Sequence, residues 1–257
     1  MQNNYNKLIN NLNDLNLSRM AGSISDYLEF INKGEKNIVD SLYELTEMEI
    51  KLKQERAMDY CVKVANFPYL KEFSDFDFSF QPSISKEQIL DFQYLKFLER
   101  KENIIFVGSP GVGKTHLATS IGIAAAKQRI CTYFISCNDL MLQLKRARIE
   151  NRLDQRIKFF CKYKILIIDE VGFLPLDIES SNLFFQLIAK RYEKTTTIIT
   201  TNKPLSKWGE IFGDNVLANA ILDRLLHHSH IVNIVGRSYR TKDIFEEREE
   251  DGVISST

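Results

Sequence analysis

Apolar residues recur at helical spacing through the first part of the chain, and no run there alternates as a β-strand does. Leu8, Leu12 and Leu15 lie three or four positions apart, which predicts that they share one face of a helix. A second set with this spacing follows Gly22. Residues 1–70 are therefore predicted to form a small helical N-terminal domain, with a role in assembly or partner contact.

The longest predicted helix in this domain covers about residues 38–65. It ends before Pro68, because proline has no N–H to donate and its ring clashes with the preceding turn. Its successive turns are marked by Leu42, Leu45, Glu49 and Leu52.

From Asn103 onward, short β-branched runs alternate with longer amphipathic helices. The runs are IIFVG, CTYFI, KILIID, TTIITTN and HIVNIV. Strands that alternate with helices need crossover connections, which predicts a parallel sheet with helices on both faces. The pattern thus predicts an α/β domain over residues 103–243, followed by a solvated acidic tail over residues 244–257.

Composition is that of a folded protein, with 44% hydrophobic and 26% charged residues. The four cysteines form no C-x-x-C pair, and three lie within or beside apolar runs, as reduced, buried thiols do. No apolar stretch reaches the length of a membrane span or a signal peptide. The expected location is the cytoplasm, without membrane contact.

The run GSPGVGKT follows the first predicted strand and precedes a helix, and it fits G-x-x-x-x-G-K-[ST] in full. Glycines let successive backbone N–H groups wrap a phosphate at the start of a helix. Lys114 is expected to reach the β- and γ-phosphates and Thr115 to ligate Mg²⁺. His116, which comes next, is expected on the helix surface. The predicted nucleotide contacts are Gly108, Ser109, Pro110, Gly111, Val112, Gly113, Lys114, Thr115 and His116.

Two acidic residues end the third apolar strand. Asp169 is expected at the carboxyl edge of the sheet, where it can hold the Mg²⁺ shell. Glu170 can polarise water for attack on the γ-phosphate, which favours hydrolysis. The alternative is that the pair only caps the following turn. Asn202 ends the next strand at the same edge and is predicted to orient water or sense the γ-phosphate, although such an asparagine can also be a turn residue.

The segment between the two domains, residues 71–102, is predicted to be a packed connector. Its phenylalanines, Phe73, Phe76, Phe78 and Phe80, make it too aromatic for a free linker. They are expected to fill the core against the next domain. The other interpretation is that Phe76 or Phe78 borders a pocket for the nucleotide base.

These motifs, in this order, resemble the Walker A, Walker B and sensor 1 elements of AAA+ ATPases. More narrowly, DFDFSFQPSI, GSPGVGKTHLA, PLSKWGEIFGDNVLANAILDRLLHHS and GRSYRTKD are similar to IstB, the ATPase helper of insertion-sequence transposition. IstB is close kin to the DnaC and DnaI helicase loaders. The resemblance covers about residues 70–243 and implies a P-loop NTPase fold of the AAA+ type.

The resemblance also implies roles for arginines near the end of the domain. Arg224 matches an arginine finger that completes the site of a neighbouring subunit in a homo-oligomer, either a ring or a helical assembly. The alternative for Arg224 is a local ion pair with Asp223. Arg240 matches the sensor 2 arginine, with Arg237 as the competing candidate.

The net charge of zero hides a basic segment between Lys145 and Lys164, which holds eight basic and two acidic residues. One continuous helix is predicted here, with an apolar face of Leu144, Ile149, Leu153, Ile157 and Phe160. Three arginines repeat every four positions without an acidic residue three or four positions away. Such an unpaired row suits double-stranded DNA, bound through phosphates with little sequence preference; the alternative is a solvated helix face. The predicted DNA contacts are Lys145, Arg148, Arg152 and Arg156.

The histidine cluster of His227, His228 and His230 is predicted to be a polar helix end rather than a metal site, because no nearby cysteine or carboxylate completes a ligand set.

The resemblance implies an ATPase that needs ATP and Mg²⁺, assembles on target double-stranded DNA and delivers it to a transposase. A replicative helicase loader would share every ATPase motif but prefer single-stranded DNA and a hexameric helicase. A P-loop kinase for a small molecule is a third possibility, against which Glu170 and Arg224 argue.

Overall fold

The computed structural model describes residues 2–241, and the chain divides into two compact units, one up to Tyr60 and the other from Cys61 onward. The acidic tail over residues 244–257 lies outside the described residues. None of the helices that the structure describes is long and apolar enough to span a membrane.

The first unit is helical. Its helices are α1 (Gln2–Asp14), α2 (Ser18–Asn32) and α3 (Ile38–Val64), the last of which continues into the second unit. Leu12, Met20, Ile24 and Leu45 form its small core. The long helix predicted over about 38–65 is thus present with nearly the predicted bounds.

A buried carboxylate joins two of these helices. Glu49 on α3 is only 2% exposed, and its Oε2 atom accepts hydrogen bonds from the backbone N–H groups of Arg19 (2.8 Å) and Met20 (3.1 Å). These groups lie in the first turn of α2, where helical N–H groups have no partner within the helix. Glu49 therefore caps α2 from a neighbouring helix.

The second unit is an α/β fold, which confirms the predicted fold class. Within residues 2–241, five parallel strands form one sheet in the order β2-β3-β4-β1-β5. The strands are β1 (Asn103–Gly108), β2 (Thr132–Ser136), β3 (Ile165–Val171), β4 (Thr196–Thr201) and β5 (Ser229–Ile234). Each of the five predicted runs forms one of them.

Helices cover both faces of this sheet. They are α4 (Lys86–Asp91), α5 (Lys114–Lys127), α6 (Cys137–Ile149), α7 (Leu153–Cys161), α8 (Ile178–Arg191), α9 (Trp208–Phe212) and α10 (Asn215–Leu226). Alternate residues of each strand point to opposite faces. Accordingly Ile105 and Ile168 pack in one core with α6 to α10, whereas Ile104 and Ile167 pack in the other with α5.

The connector packs against the core that contains α5. Phe73, Phe76 and Phe78 contact that core, and Phe80 meets Tyr239 edge to face with ring centroids 5.2 Å apart. The aromatic side chains of this segment are therefore in place to hold it beside the start of α5.

The basic segment is not one helix, which corrects the prediction. α6 ends at Ile149 and α7 begins at Leu153. Asn151 takes a left-handed conformation (φ +53°), and the N–H of Arg152 bonds the Ala147 carbonyl at 2.7 Å. This is a Schellman C-cap, in which asparagine is one of the few residues that tolerate positive φ. Ile149 is consequently 81% exposed and does not belong to the apolar face.

Candidate functional site

The glycine-rich loop lies between β1 and α5 at the carboxyl edge of the sheet. Gly111 and Gly113 have φ values of +81° and +97°, which suit glycine best. A Cβ atom on Gly111 would lie 2.0 Å from Ser238 Oγ, and one on Gly113 would lie 2.5 Å from Phe76 Cε2. The loop therefore needs glycine for its backbone conformation and for its close neighbours.

Lys114 begins α5 and folds back over the loop. Its Nζ atom donates to the carbonyl oxygens of Gly108 (2.8 Å) and Ser109 (2.7 Å). Burial lowers the pKa of the Lys114 amine below its usual range, while the charge of Asp169 opposes that shift. The amine is thus held at the loop, where phosphate oxygens can replace the two carbonyls as its hydrogen-bond acceptors.

Asp169 is buried (7% exposed) in front of the loop and accepts two hydroxyl hydrogen bonds. Thr115 Oγ1 donates to its Oδ1 atom at 2.9 Å, and Thr200 Oγ1 donates to the same atom. Burial raises the pKa of the Asp169 carboxyl, and the hydrogen bonds from Thr200 and Thr115 counteract part of this rise. The predicted proximity of Asp169 to the loop is therefore seen directly.

Glu170 differs from the neighbouring Asp169 in backbone conformation and exposure. The pairing of β3 with β4 is irregular between Ile168 and Val171, and Glu170 has a left-handed φ of +60°. Its backbone N–H donates to Thr200 Oγ1 at 2.9 Å, while its side chain is exposed and lines the cavity. Left-handed backbone is uncommon for a glutamate, and here it accompanies the irregular strand pairing.

A cavity of about 340 Å³ lies above these groups, the size of a small-ligand site. Asn202 lines it, and its buried Oδ1 atom accepts no hydrogen bond from any residue between 2 and 241. Lys114, Thr115, Glu170 and Asn202 therefore converge on one space.

Several lining residues were not found from the sequence. Tyr69, Gln81, Phe173, Thr200 and Tyr239 line the cavity. Of the two candidate phenylalanines, Phe76 lines the cavity and Phe78 does not. Phe76 also packs on the core as predicted, and its place beside a nucleotide base stays a prediction.

His116 is not a surface residue as predicted. Its ring is half-buried, lies 5.3 Å from that of Phe76, and places Nε2 at 2.9 Å from the Glu72 carbonyl oxygen. Burial lowers the pKa of His116. The ring faces the connector because that segment covers the first turn of α5.

The two sensor 2 candidates lie in different places. Arg240 lines the cavity, whereas Arg237 does not; the carbonyl of Arg237 instead accepts from Gln81 Nε2 at 2.8 Å. The backbone N–H of Tyr239 donates to the Gly111 carbonyl at 2.9 Å, which holds this segment against the loop. Arg240 thus lies at the cavity, and its role as the sensor 2 arginine stays a prediction.

Arg224 lies outside the cavity of its own chain. Its Nη1 atom donates to the Ala220 carbonyl at 2.7 Å, and its guanidinium lies 4.8 Å from the centroid of the Phe185 ring. The neighbouring elements thus hold the side chain along α10.

The oxygen groups beside the loop fit Mg²⁺. A buried carboxylate and a threonine hydroxyl are hard oxygen ligands, which Mg²⁺ prefers together with phosphate oxygens. Asp169 and Thr115 supply both groups 2.9 Å apart. The raised pKa of Asp169 also means that a cation would stabilise its charged form.

Comparison with known proteins agrees with this geometry. Residues 10–246 match the protein family described as IstB-like ATP binding protein. The chain belongs to this family. An ATP-binding protein of insertion sequence IS232 from Bacillus thuringiensis is 56% identical, over 95% of this chain and 98% of that protein. A protein of the same description from insertion sequence IS21 of Pseudomonas aeruginosa is 41% identical, over 90% of this chain and 88% of that protein.

Comparison with solved structures identifies the fold type of this IstB-like protein. The DnaC helicase loader is 28% identical, with a TM-score of 0.50, over 58% of this chain and 87% of that one. DnaA from Aquifex aeolicus, bound to AMPPCP, is 18% identical with a TM-score of 0.57, over 72% of this chain and 56% of that one. The α/β unit therefore has the fold of AAA+ P-loop ATPases.

The predicted DNA contacts are not an unpaired row, so this part of the prediction is wrong. Arg148 pairs with Glu179 at 3.3 Å, and Arg152 pairs with Glu150. Arg156 bonds Gln143, and its guanidinium lies 4.3 Å from the centroid of the Phe159 ring. Lys145 pairs with Asp177 at 2.5 Å. Partners from outside the helix, such as Glu179 on α8, cannot be read from spacing along one helix.

His227 and His228 lie at the exposed C-terminal end of α10, a polar helix end as predicted, but one premise of that prediction is wrong. Glu193 places a carboxylate oxygen within 4.8 Å of ligand atoms of His227 and His228, so a carboxylate is present after all. His230 instead contacts Glu102 at 2.8 Å. His227 is already bonded to the Tyr192 hydroxyl at 2.9 Å. The side chains of Glu193, His227 and His228 are all exposed.

Proposed function

We propose that the protein is a DNA-dependent ATPase that oligomerises on target double-stranded DNA and recruits or regulates a transposase. The main support for ATPase activity is that two adjacent acidic residues have different surroundings. Asp169 is buried against Thr115, whereas Glu170 is exposed at the cavity. These positions support a role for Asp169 in holding a cation and for Glu170 in activating water.

Each group has a role that follows from its position. The loop N–H groups and Lys114 bind phosphate oxygens. Thr115 and Asp169 hold Mg²⁺, which when bound neutralises phosphate charge. Glu170 accepts a hydrogen bond from the attacking water and draws away its proton. Asn202 offers an amide that orients that water or senses the γ-phosphate.

Replacement of Glu170 by glutamine tests this assignment. The variant Glu170→Gln should bind ATP as the wild type does, because the side chain has no part in binding the phosphates. It should lose at least about a hundredfold in turnover, the usual contribution of a general base. Equal turnover in the two proteins would exclude Glu170 as the group that activates water.

Assembly is proposed because Arg224 lies outside its own cavity and would stabilise the transition state of a neighbouring subunit. A mixing experiment tests action in trans. Arg224→Ala and Glu170→Gln should each be inactive alone, whereas mixed assemblies should regain activity, since an intact arginine then meets an intact Glu170. No recovery, with mixed assemblies shown to form, would contradict the proposal.

DNA binding is proposed for the surface that carries Arg148, Arg152 and Arg156. Exposed ion pairs contribute only up to about 1 kcal/mol, so a phosphate can replace Glu179 as the partner of Arg148 at little cost. Glu179→Gln should therefore strengthen duplex binding, and the triple alanine variant should weaken it and flatten its salt dependence. Asp91→Asn, which removes an exposed acid paired with Lys96, is the matched control.

A helicase loader is the second candidate, favoured by the similarity to DnaC. The two functions predict different DNA preferences. A transposition helper should bind duplex DNA more tightly than single strands in the presence of ATP, whereas a loader should show the reverse order. Dissociation constants for duplex and single-stranded DNA, measured with ATP at the same salt concentration, distinguish the two functions.

A further inference from the structure

Three side chains that can bind a metal ion meet at the amino edge of the sheet, opposite the nucleotide cavity. Glu193 follows α8 and precedes β4, while His227 and His228 follow α10 and precede β5. β4 and β5 lie on either side of β1 and run parallel to it, so the chain enters both strands at the same edge. The sheet therefore brings together residues that are far apart in the sequence.

The spacing of the ligand atoms suits a single ion. Glu193, His227 and His228 each offer one ligand atom, and the three atoms all lie within 4.8 Å of one another. His227 Nδ1 lies 3.4 Å from Glu193 Oε1. Zinc binds nitrogen and oxygen ligands at about 2.0–2.2 Å in tetrahedral geometry, which places two ligand atoms of one ion about 3.3–3.5 Å apart. This pair therefore already has the separation that one shared zinc ion requires.

An ion can reach these groups directly from solvent. All three side chains are exposed, and the rings of His227 and His228 are in contact, with centroids 4.1 Å apart. The ion would replace the Tyr192 hydroxyl, which bonds His227 Nδ1 at 2.9 Å in an exposed contact. A single exposed hydrogen bond between neutral groups is a weak competitor, because water can satisfy the hydroxyl instead.

The ligand set favours zinc over the Mg²⁺ of the nucleotide site. Imidazole nitrogens suit zinc and other late transition metals, whereas Mg²⁺ prefers oxygen ligands. Two histidines with one glutamate form a set that proteins use for zinc, with water in the fourth position. None of Glu193, His227 and His228 lines the nucleotide cavity, so zinc at this edge does not compete with Mg²⁺ at Asp169.

We propose that Glu193, His227 and His228 bind one Zn²⁺ ion, with water as the fourth ligand. The ion joins the end of α8 to the end of α10. Arg224 lies one turn before His228 on α10, and its guanidinium packs on the Phe185 ring of α8. Zinc thus links the two helices that hold the Arg224 side chain. The proposal goes beyond the ATPase assignment, because the site needs no nucleotide.

Calorimetric titration of ZnCl₂ into the full-length, metal-free protein tests the site. A large excess of MgCl₂ should leave the zinc affinity of the wild type unchanged. Loss of a group that only orients a metal ligand costs about 10–100-fold in affinity, so Glu193→Gln and His228→Ala should each weaken zinc binding by at least about tenfold. Both side chains are exposed, so both variants should fold, which thermal unfolding without metal checks.

Glu102→Gln is the matched control. Glu102 Oε2 contacts His230 Nε2 at 2.8 Å, so the same substitution is made beside another histidine. No third ligand atom completes a site there within residues 2–241. The zinc affinity of this variant should therefore equal that of the wild type, and equal weakening in the control would overturn the proposal.

The variants also decide where the zinc lies, because the four cysteines are free thiols and thiolates bind zinc as well. Wild-type zinc affinity in Glu193→Gln or in His228→Ala would assign the ion to other groups and overturn the proposal. Absence of zinc binding to the wild type would do the same. Zinc should also slow amide exchange at the ends of α8 and α10, and unchanged exchange would contradict the link. None of these results bears on the ATPase proposal, which is tested without zinc.

Discussion

Thr200 joins the two acids of the site, and its hydroxyl group is the most informative to remove. Its Oγ1 atom donates to Asp169 Oδ1 and accepts from the Glu170 N–H at 2.9 Å. Thr200→Val keeps the branched shape of the side chain but removes both hydrogen bonds. We expect the strand to persist, while Asp169, the carboxylate proposed to hold Mg²⁺, loses one of its two hydroxyl partners. The left-handed backbone of Glu170 would lose its hydrogen bond as well.

The expected size of the effect follows from these two bonds. A hydrogen bond to a charged group is worth about 1.5–3 kcal/mol, which corresponds to about a tenfold to hundredfold change. Groups that orient metal ligands have effects in the same range. Thr200→Val should therefore reduce kcat, and raise the Mg²⁺ concentration needed for half-maximal activity, by about that factor. ATP affinity without Mg²⁺ should change little, because the Thr200 hydroxyl bonds to Asp169 and to the Glu170 N–H and not to a group proposed to bind phosphate.

The same strand offers a control for this experiment. Thr196 Oγ1 is buried on β4 and has no hydrogen-bond partner within residues 2–241, so Thr196→Val removes no bond. Steady-state ATPase assays over a Mg²⁺ titration should show this variant to be like the wild type. If Thr200→Val also behaved like the wild type, the idea that its hydroxyl positions the two acids would be refuted.

Three further predictions concern protonation and stability. Because burial raises the pKa of Asp169, activity measured below Mg²⁺ saturation should fall at a higher pH than the ordinary aspartate value of about 3.9 implies, since a proton and the cation compete for the carboxylate. The nucleotide-free fold should gain stability as that proton binds, because the folded state holds it more tightly. A pH–rate profile and thermal unfolding at several pH values check both signs. Arg191 is 1% exposed and donates to carbonyls of Phe160, Tyr163 and Thr196, so Arg191→Met should lower the free energy of unfolding by about 3 kcal/mol in urea denaturation. Glu49→Ala should cost about 1–2 kcal/mol by uncapping α2, seen as faster amide exchange there; unchanged exchange would contradict the cap.

Features encoded within a short stretch of chain were predictable. Each strand is one apolar run, and the phosphate loop is one contiguous motif, so neither depends on distant residues. Asp169 and Asn202 could be placed beside the loop because parallel strands end at a common edge. The sheet and the phosphate end of the site followed from such local signals.

Features that depend on partners far along the chain were not predictable in the same way. In the sequence, Glu49 only marks one turn of a predicted helix. In the structure it is buried, because it accepts hydrogen bonds from N–H groups in the first turn of α2. Thr200 looked like an ordinary β-branched strand residue. The break after Ile149 did have a local signal, Asn151, but the continuing apolar spacing concealed it.

The same reasoning explains why the end of the cavity beside the connector was not predicted from the sequence while the phosphate loop was. Its wall is held by contacts between the connector and the segment after β5, through Gln81 to Arg237, Ser83 to Val235, and Tyr239 to Gly111. Each is a single hydrogen bond, so this wall depends on several weak contacts that must form together. A ligand that bonds to both segments would add to them, and nucleotide binding should therefore stabilise the end of the α/β unit more than its central strands.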